Sequence, residues 1–248
     1  MVWGFYPPSG IGKYTPGAES EVGDDGKSKY ELRLNTYFHS LPDEEKEKIR
    51  RKMGGEDSYS RFVSRLLWSC PSHRYSQEGA NHNPTRQIED WQVPSSLTIT
   101  QPYNRYFKLG DFFGGLVAYV SKDLRDVILA LEPNVHRFFP IEVTNPFDKD
   151  GEDRQFYLLI IGQYLDGFRP DLSNPDSFDQ YKGYELYKSP PTKRYFGGLA
   201  ISAEGIRGAH LWSELRFTGN MICMSDELKT AIDAAGLDIP RHHRMQEV

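Results

Sequence analysis

Cysteine is scarce in this sequence: Cys70 and Cys223 are the only two among 248 residues. Two thiols cannot build the disulfide framework of a small secreted domain, and a chain of this length can bury a core without one. Long apolar runs are missing too. No stretch approaches the roughly 18 residues that a membrane helix needs. The start, Met1-Val2-Trp3-Gly4-Phe5-Tyr6-Pro7-Pro8, has neither the basic residues nor the apolar core of a signal peptide. The expectation is a cytosolic protein with no membrane partner. Basic excess is the third absence: 30 Lys and Arg stand against 35 Asp and Glu, a formal net charge of −5. A nucleic-acid binder needs a basic face to neutralise phosphates, so nucleic acid is not expected as a partner.

Motifs for catalysis and cofactors are equally thin. Ser9-Gly10-Ile11-Gly12-Lys13 resembles a fragment of a phosphate loop, but Tyr14 stands where Ser or Thr is required and no strand precedes it. Cys70, His73 and His82 could supply three zinc ligands, one short of a structural site. No G-x-S-x-G elbow places a nucleophile. No cofactor, metal or catalytic residue is expected.

What the sequence does contain is a repeat. Phe113-Gly114-Gly115-Leu116-Val117-Ala118-Tyr119-Val120-Ser121-Lys122-Asp123-Leu124-Arg125 returns as Phe217-Thr218-Gly219-Asn220-Met221-Ile222-Cys223-Met224-Ser225-Asp226-Glu227-Leu228-Lys229. The offset is 225 − 121 = 104 residues, with no insertion. Each copy reads as an apolar strand, a Ser at the N-cap position, an acidic residue in the first turn and an amphipathic helix. Apolar residues recur at Leu124, Val127, Ile128 and Leu131, and at Leu228, Ala231, Ile232 and Ala235. Either the unit was duplicated or two units share one local solution. In both readings the serines cap helices and are not nucleophiles. Cys223, inside an apolar strand, reads as a small core residue.

The rest divides around residue 92. Residues 1–92 read as an irregular Gly- and Pro-containing arm over 1–30, then helices over 42–52 and 57–69, then a polar loop. Residues 93–248 are strand-rich, with strands expected near 97–100, 115–120, 137–143, 155–161, 185–188, 197–202, 208–217 and 221–224. The predicted class is α+β, a largely antiparallel sheet with two equivalent strand–helix units behind a small helical N-terminal part.

Two features suit a binding surface. Asp148, Asp150, Glu152 and Asp153 crowd one hairpin loop, and their field can steer a basic partner. In Leu211-Trp212-Ser213-Glu214-Leu215-Arg216-Phe217 the residues Leu211, Leu215 and Phe217 share one side of a strand. Trp212 lies off that side, either in the core or exposed beside Glu214 as an interface anchor.

The run Gly208-Ala209-His210-Leu211-Trp212, with Phe217 and Met224-Ser225-Asp226-Glu227-Leu228-Lys229, resembles a group of bacterial immunity proteins. So do Asp111-Phe112, Val120-Ser121 and Phe138-Phe139-Pro140-Ile141-Glu142-Val143 ahead of Tyr157-Leu158-Leu159. Such proteins are encoded beside polymorphic or contact-dependent toxins, and one branch is named after a myxobacterial immunity protein. The resemblance covers roughly residues 90–248. It implies a non-enzymatic inhibitor that binds a cognate toxin in the cytosol and occludes it. The candidate contacts are those that the charge and strand patterns above pick out: Asp148, Asp150, Glu152, Asp153, Trp212 and Glu214. The competing expectation is a diverged hydrolase-like enzyme, with its site in a cleft between the helical part and the sheet.

Overall fold

A computed structural model describes residues 1–5, 12–23, 28–52, 59, 63, 88–101, 108–115, 117–148, 154–180, 186–188, 193–217 and 221–248. In chain order the elements begin with β1 (Val2–Phe5), β2 (Gly17–Ser20), α1 (Lys29–Ser40), α2 (Asp43–Lys52) and β3 (Ser96–Gln101). Next come β4 (Phe112–Phe113), β5 (Ala118–Ser121), α3 (Lys122–Leu131), β6 (Arg137–Thr144), β7 (Phe156–Ile160) and β8 (Tyr164–Leu165). The last are β9 (Asp179–Gln180), β10 (Tyr187–Lys188), β11 (Ala200–Ile201), β12 (Leu211–Glu214), β13 (Ile222–Ser225), α4 (Asp226–Ala234) and β14 (His242–Glu247). Single helical turns stand at Lys193–Phe196 and Ala203–Ile206.

Two six-stranded sheets form the frame: β2-β3-β6-β7-β5-β4 and β11-β14-β1-β13-β12-β8. Most neighbours are antiparallel, and β3·β6, β11·β14 and β12·β8 are parallel. The fold is α+β. The sheets share more than the repeat suggests. In each, a strand leading into a helix (β5 or β13) and the strand following it (β6 or β14) lie parallel, with an antiparallel strand between them. β4 and β12 flank one side, and β3 and β11 the other. Five strands thus correspond in order and direction. The middle strand is β7 in the first lobe and β1 in the second, so the equivalent strands do not follow the same chain order.

Packing follows the two-residue period of the strands. Ala118, Val120, Tyr157, Leu159, Leu211, Ile222 and Met224 face a central core shared with Leu124 and Ile128 of α3 and Leu228 and Ile232 of α4. Tyr119, Phe156, Leu158 and Ile160 face an outer core covered by Tyr30, Leu34 and Phe38 of α1. Val2, Trp212 and Cys223 face a second outer core with Phe168, Phe196 and Phe217. Both sheets are therefore covered on both faces. That arrangement explains the uninterrupted apolar run of β7.

Ser121 and Ser225 cap α3 and α4, accepting from the Leu124 and Leu228 amides at 3.2 and 3.1 Å. The Phe match of the repeat is not spatial. Phe113 pairs with Tyr119, but Trp212 pairs with Cys223, and Phe217 bridges Tyr187 instead. The second connection is longer, 223 − 212 = 11 against 119 − 113 = 6, so the spatially equivalent strands are joined with five more residues in the second lobe.

The N-terminal segment departs from an irregular arm. β1 is interior to the second sheet, with Val2 fully buried. Gly4 is required there, since a Cβ would lie 2.6 Å from the Phe196 ring. α1 is a full helix capped by Ser28, and Glu21 ties it down by accepting from both ends of the Arg33 guanidinium and from Ser95. β14 was not foreseen either. Of the expected helix over 57–69, Tyr59 and Val63 are helical and buried, and its other residues lie outside the described residues.

Candidate functional site

The expected contact residues do not converge. Asp148 is half-buried just beyond β6, with its amide donating to the Asn145 carbonyl at 3.2 Å. Asp150, Glu152 and Asp153 lie outside the described residues, as do Cys70, His73 and His82. The loop's far base is anchored: Arg154 donates to the Asp111 carboxylate and, at 2.8 Å, to the Leu109 carbonyl.

Trp212 and Glu214 are both 0% exposed. Of the two readings open for Trp212, burial meets the core one, and it removes both residues as exposed anchors. The second sheet is covered on both faces, so a side chain leaving the central core enters the outer one. Burial pushes the Glu214 carboxyl up to about 8, and the Asp166 charge adds to that, against amide donors that pull it down.

Polar side chains do converge at the seam between the lobes. Glu132, at the C-cap of α3, is buried with all four donors it needs. Its Oε1 accepts from Gln163 and the His210 amide, both at 2.6 Å. Its Oε2 accepts from the Leu211 amide at 3.0 Å and contacts His136 Nε2 at 2.7 Å. The Gly162 amide donates to His136 Nδ1 at 3.1 Å, which leaves the proton on Nε2 to donate to Glu132. Burial alone would raise the Glu132 pKa. The hydrogen bonds from His136 and His210, with that from Gln163, outweigh burial and hold the carboxyl below its usual range.

A second clasp mirrors the first. The pairings Phe112↔Val120 and Leu211↔Met224 make Asp111 the counterpart of His210, and the Ser121 and Ser225 amides donate to the carbonyls of Asp111 and His210. Asp111 reaches the segment after α4: its amide donates to the Asp238 carbonyl at 2.6 Å, and its carboxylate accepts from the Asp238 amide at 2.7 Å. The Asp238 carboxylate takes Lys13 Nζ at 2.7 and 2.9 Å and the Tyr14 hydroxyl at 2.6 Å. Lys13 of the phosphate-loop fragment is thereby committed to an ion pair. Each lobe's post-helix segment grips the residue just before a partner-lobe strand, Glu132 the His210 amide before β12 and Asp238 the backbone and carboxylate of Asp111 before β4.

His210 Nδ1 lies 2.9 Å from Ser225 Oγ, the nearest approach here to a nucleophile–base contact. The first lobe argues for a structural role, since Ser121 makes the same cap with Asp111 in the histidine's place. Among the described residues, no group of three or more His, Cys, Asp and Glu could hold a metal ion, and no helix is long and apolar enough to cross a membrane. An open concavity of roughly 830 Å³ lies along Met1, Gly197, Ala203 and Arg244 to Val248, none of them a residue of the seam.

Sequence reasoning missed Glu132, His136 and Asp111. One signal was available: a Glu directly after Leu131 and before Pro133 places negative charge at the negative end of a helix dipole, a misfit that calls for an external partner.

The described residues form a two-lobed α+β frame closed by a buried polar seam. The chain matches the immunity protein family Imm11 over residues 55–243 of 248, and it belongs to that family. No curated protein matches the sequence.

Proposed function

We propose that this protein neutralises a cognate bacterial toxin by binding it and occluding its working surface, without catalysis, in the cytosol of the producing cell. Membership of the immunity protein family carries this reading. The net charge of −5 and the carboxylates Asp148, Asp150, Glu152 and Asp153 support a toxin with a basic face. The loop lies between β6 and β7, anchored at its base by Arg154. Carboxylates so placed accelerate encounter, and apolar contacts made after docking set the lifetime.

The hydrolase-like alternative needs a cleft between the helical part and the sheet. Among the described residues that space is filled by Tyr30, Leu34 and Phe38 packed on Leu97, Ile99, Phe139 and Ile141.

The test is co-expression with the toxin encoded beside this gene. The expected result is a complex that co-purifies and abolishes toxicity. Replacing the four carboxylates by amides should slow association about tenfold at low salt and flatten its salt dependence, with little change in dissociation. No complex with the neighbouring toxin refutes the function, and an unchanged association rate removes the loop from the interface.

A further inference from the structure

Glu214 has a second anomaly besides its burial. Its Oε2 accepts from the Gly167 amide at 3.2 Å, and the Phe168 and Arg216 amides also approach the carboxyl, while Oε1 makes no hydrogen bond of normal geometry. The 166–168 loop reaches the carboxyl only because residue 167 is glycine. A Cβ there would lie 2.8 Å from Ile206 and 3.2 Å from the carboxylate oxygen itself. The loop closes the outer core of the second lobe. Phe168 is 1% exposed, with its ring centroid 4.7 Å from that of Phe217, 5.0 Å from Tyr187 and 5.2 Å from Phe178. The Gly167 carbonyl also accepts from the Ser202 amide at 2.7 Å.

Among the described residues, no cation pairs with the carboxyl within this core. Asp166 on the loop and Arg216 after β12 pair with each other at 2.5 and 2.9 Å. From β13 the core presents Cys223, a thiol that burial pushes well up, and from β10 it presents Tyr187. In the first lobe β4 ends at Phe113, so Glu214 has no counterpart there.

We propose that Glu214 is a proton-operated latch: its neutral carboxyl holds the 166–168 loop over the aromatic core, and release of its proton to solvent frees the loop. The proton can leave only as the loop opens, because an unpaired carboxylate in an apolar core is strongly disfavoured. In the open form the group titrates at its ordinary value of 4.5, and in the closed form at about 8. Linkage then raises the opening constant about tenfold per pH unit between those values and no further above them.

Amide hydrogen exchange at Gly167 and Phe168, corrected for the intrinsic pH dependence, reads this directly. Opening should rise about a hundredfold between pH 5.5 and 7.5 and flatten above about pH 8. Glu214→Gln, which mimics the protonated acid, should hold both amides at the slow, low-pH value throughout. Equal protection at pH 5.5 and 8.5 in the unmodified protein overturns the latch. If Glu214→Gln does not fold, the carboxyl ¹³C resonance of Glu214 in the unmodified protein decides. A neutral acid at pH 7 supports the latch, and an ionised one at pH 6 refutes it.

Discussion

Replacing Glu132 tests the seam most directly. Four donors converge on its two oxygens, and those of His136 and Leu211 are fully buried. Glu132→Ala leaves them without an acceptor. Each orphaned buried donor costs about 1–3 kcal/mol, and removing one partner of a buried charged network costs about 3–5 kcal/mol, so ~4 kcal/mol is expected. Glu132→Gln should cost nearly as much, because either placement of its amide points an NH₂ at two existing donors. His136 cannot adapt by switching tautomer, since its Nδ1 already accepts from Gly162. The sign of the pH effect follows from the lowered folded-state pKa. The stabilisation is complete above the ordinary value of about 4.5 and is lost as pH falls through the folded-state value. Urea unfolding followed by circular dichroism at pH 7 and below pH 4 gives both quantities. Glu142→Gln, at an exposed carboxylate on β6, is the control and should stay within about 0.5 kcal/mol. A Glu132→Gln protein equally close to the parent would refute the four-donor account.

Other substitutions probe the frame. Ser121→Ala and Ser225→Ala should each cost about 1 kcal/mol through loss of an N-cap, read as a shift in the urea midpoint at constant slope. Gly4→Ala should cost about 1–3 kcal/mol by driving a methyl into the Phe196 ring. A neutral result there would mean β1 is not an integral strand. Trp212→Ala should cost about 3–5 kcal/mol in stability and, once folded, leave the association rate with a toxin unchanged.

Much of the frame was legible because short-range rules decide it. The Ser caps of α3 and α4, the apolar spacing of both helices and the hairpin β6–β7 follow from residues a few positions apart. α1 was equally legible in principle: Ser28 and Glu31 have capping-box spacing, and Tyr30, Leu34 and Phe38 recur every four residues. Its Gly-rich approach masked it. β14 carries His242, His243, Arg244, Gln246 and Glu247, so no alternation announced a strand. It exists because β1 pairs along it from Val2↔Met245 to Phe5↔His242. Trp212 and Glu214 show the limit of reading one strand at a time. Whether the far side of a strand meets water depends on what covers it, and Phe168 and Phe196 come from distant parts of the chain. The seam was hidden for the same reason, since Glu132 and Leu211 are 79 residues apart.

The two lobes sort structural from functional residues without any further comparison. A feature present in both is needed to make the fold: the Ser cap, the apolar alternation, the parallel strands flanking a middle strand, and the carbonyl of Asp111 or His210 bound by a capping serine. A feature in one lobe alone is released from that duty. The acidic connection between β6 and β7 is such a feature. Its place in the second lobe falls between β14 and β1, which no hairpin joins. Glu214 and the loop it holds are another, since β4 stops before an equivalent position. The proposed toxin contact and the proposed latch therefore both occur where the lobes differ. The conspicuous Ser–His contact involves a serine that caps in both lobes, with aspartate in the histidine's place in the first. That substitution favours a framework role for Ser225 over a nucleophilic one, and it directs substitutions aimed at function to the lobe-specific loops.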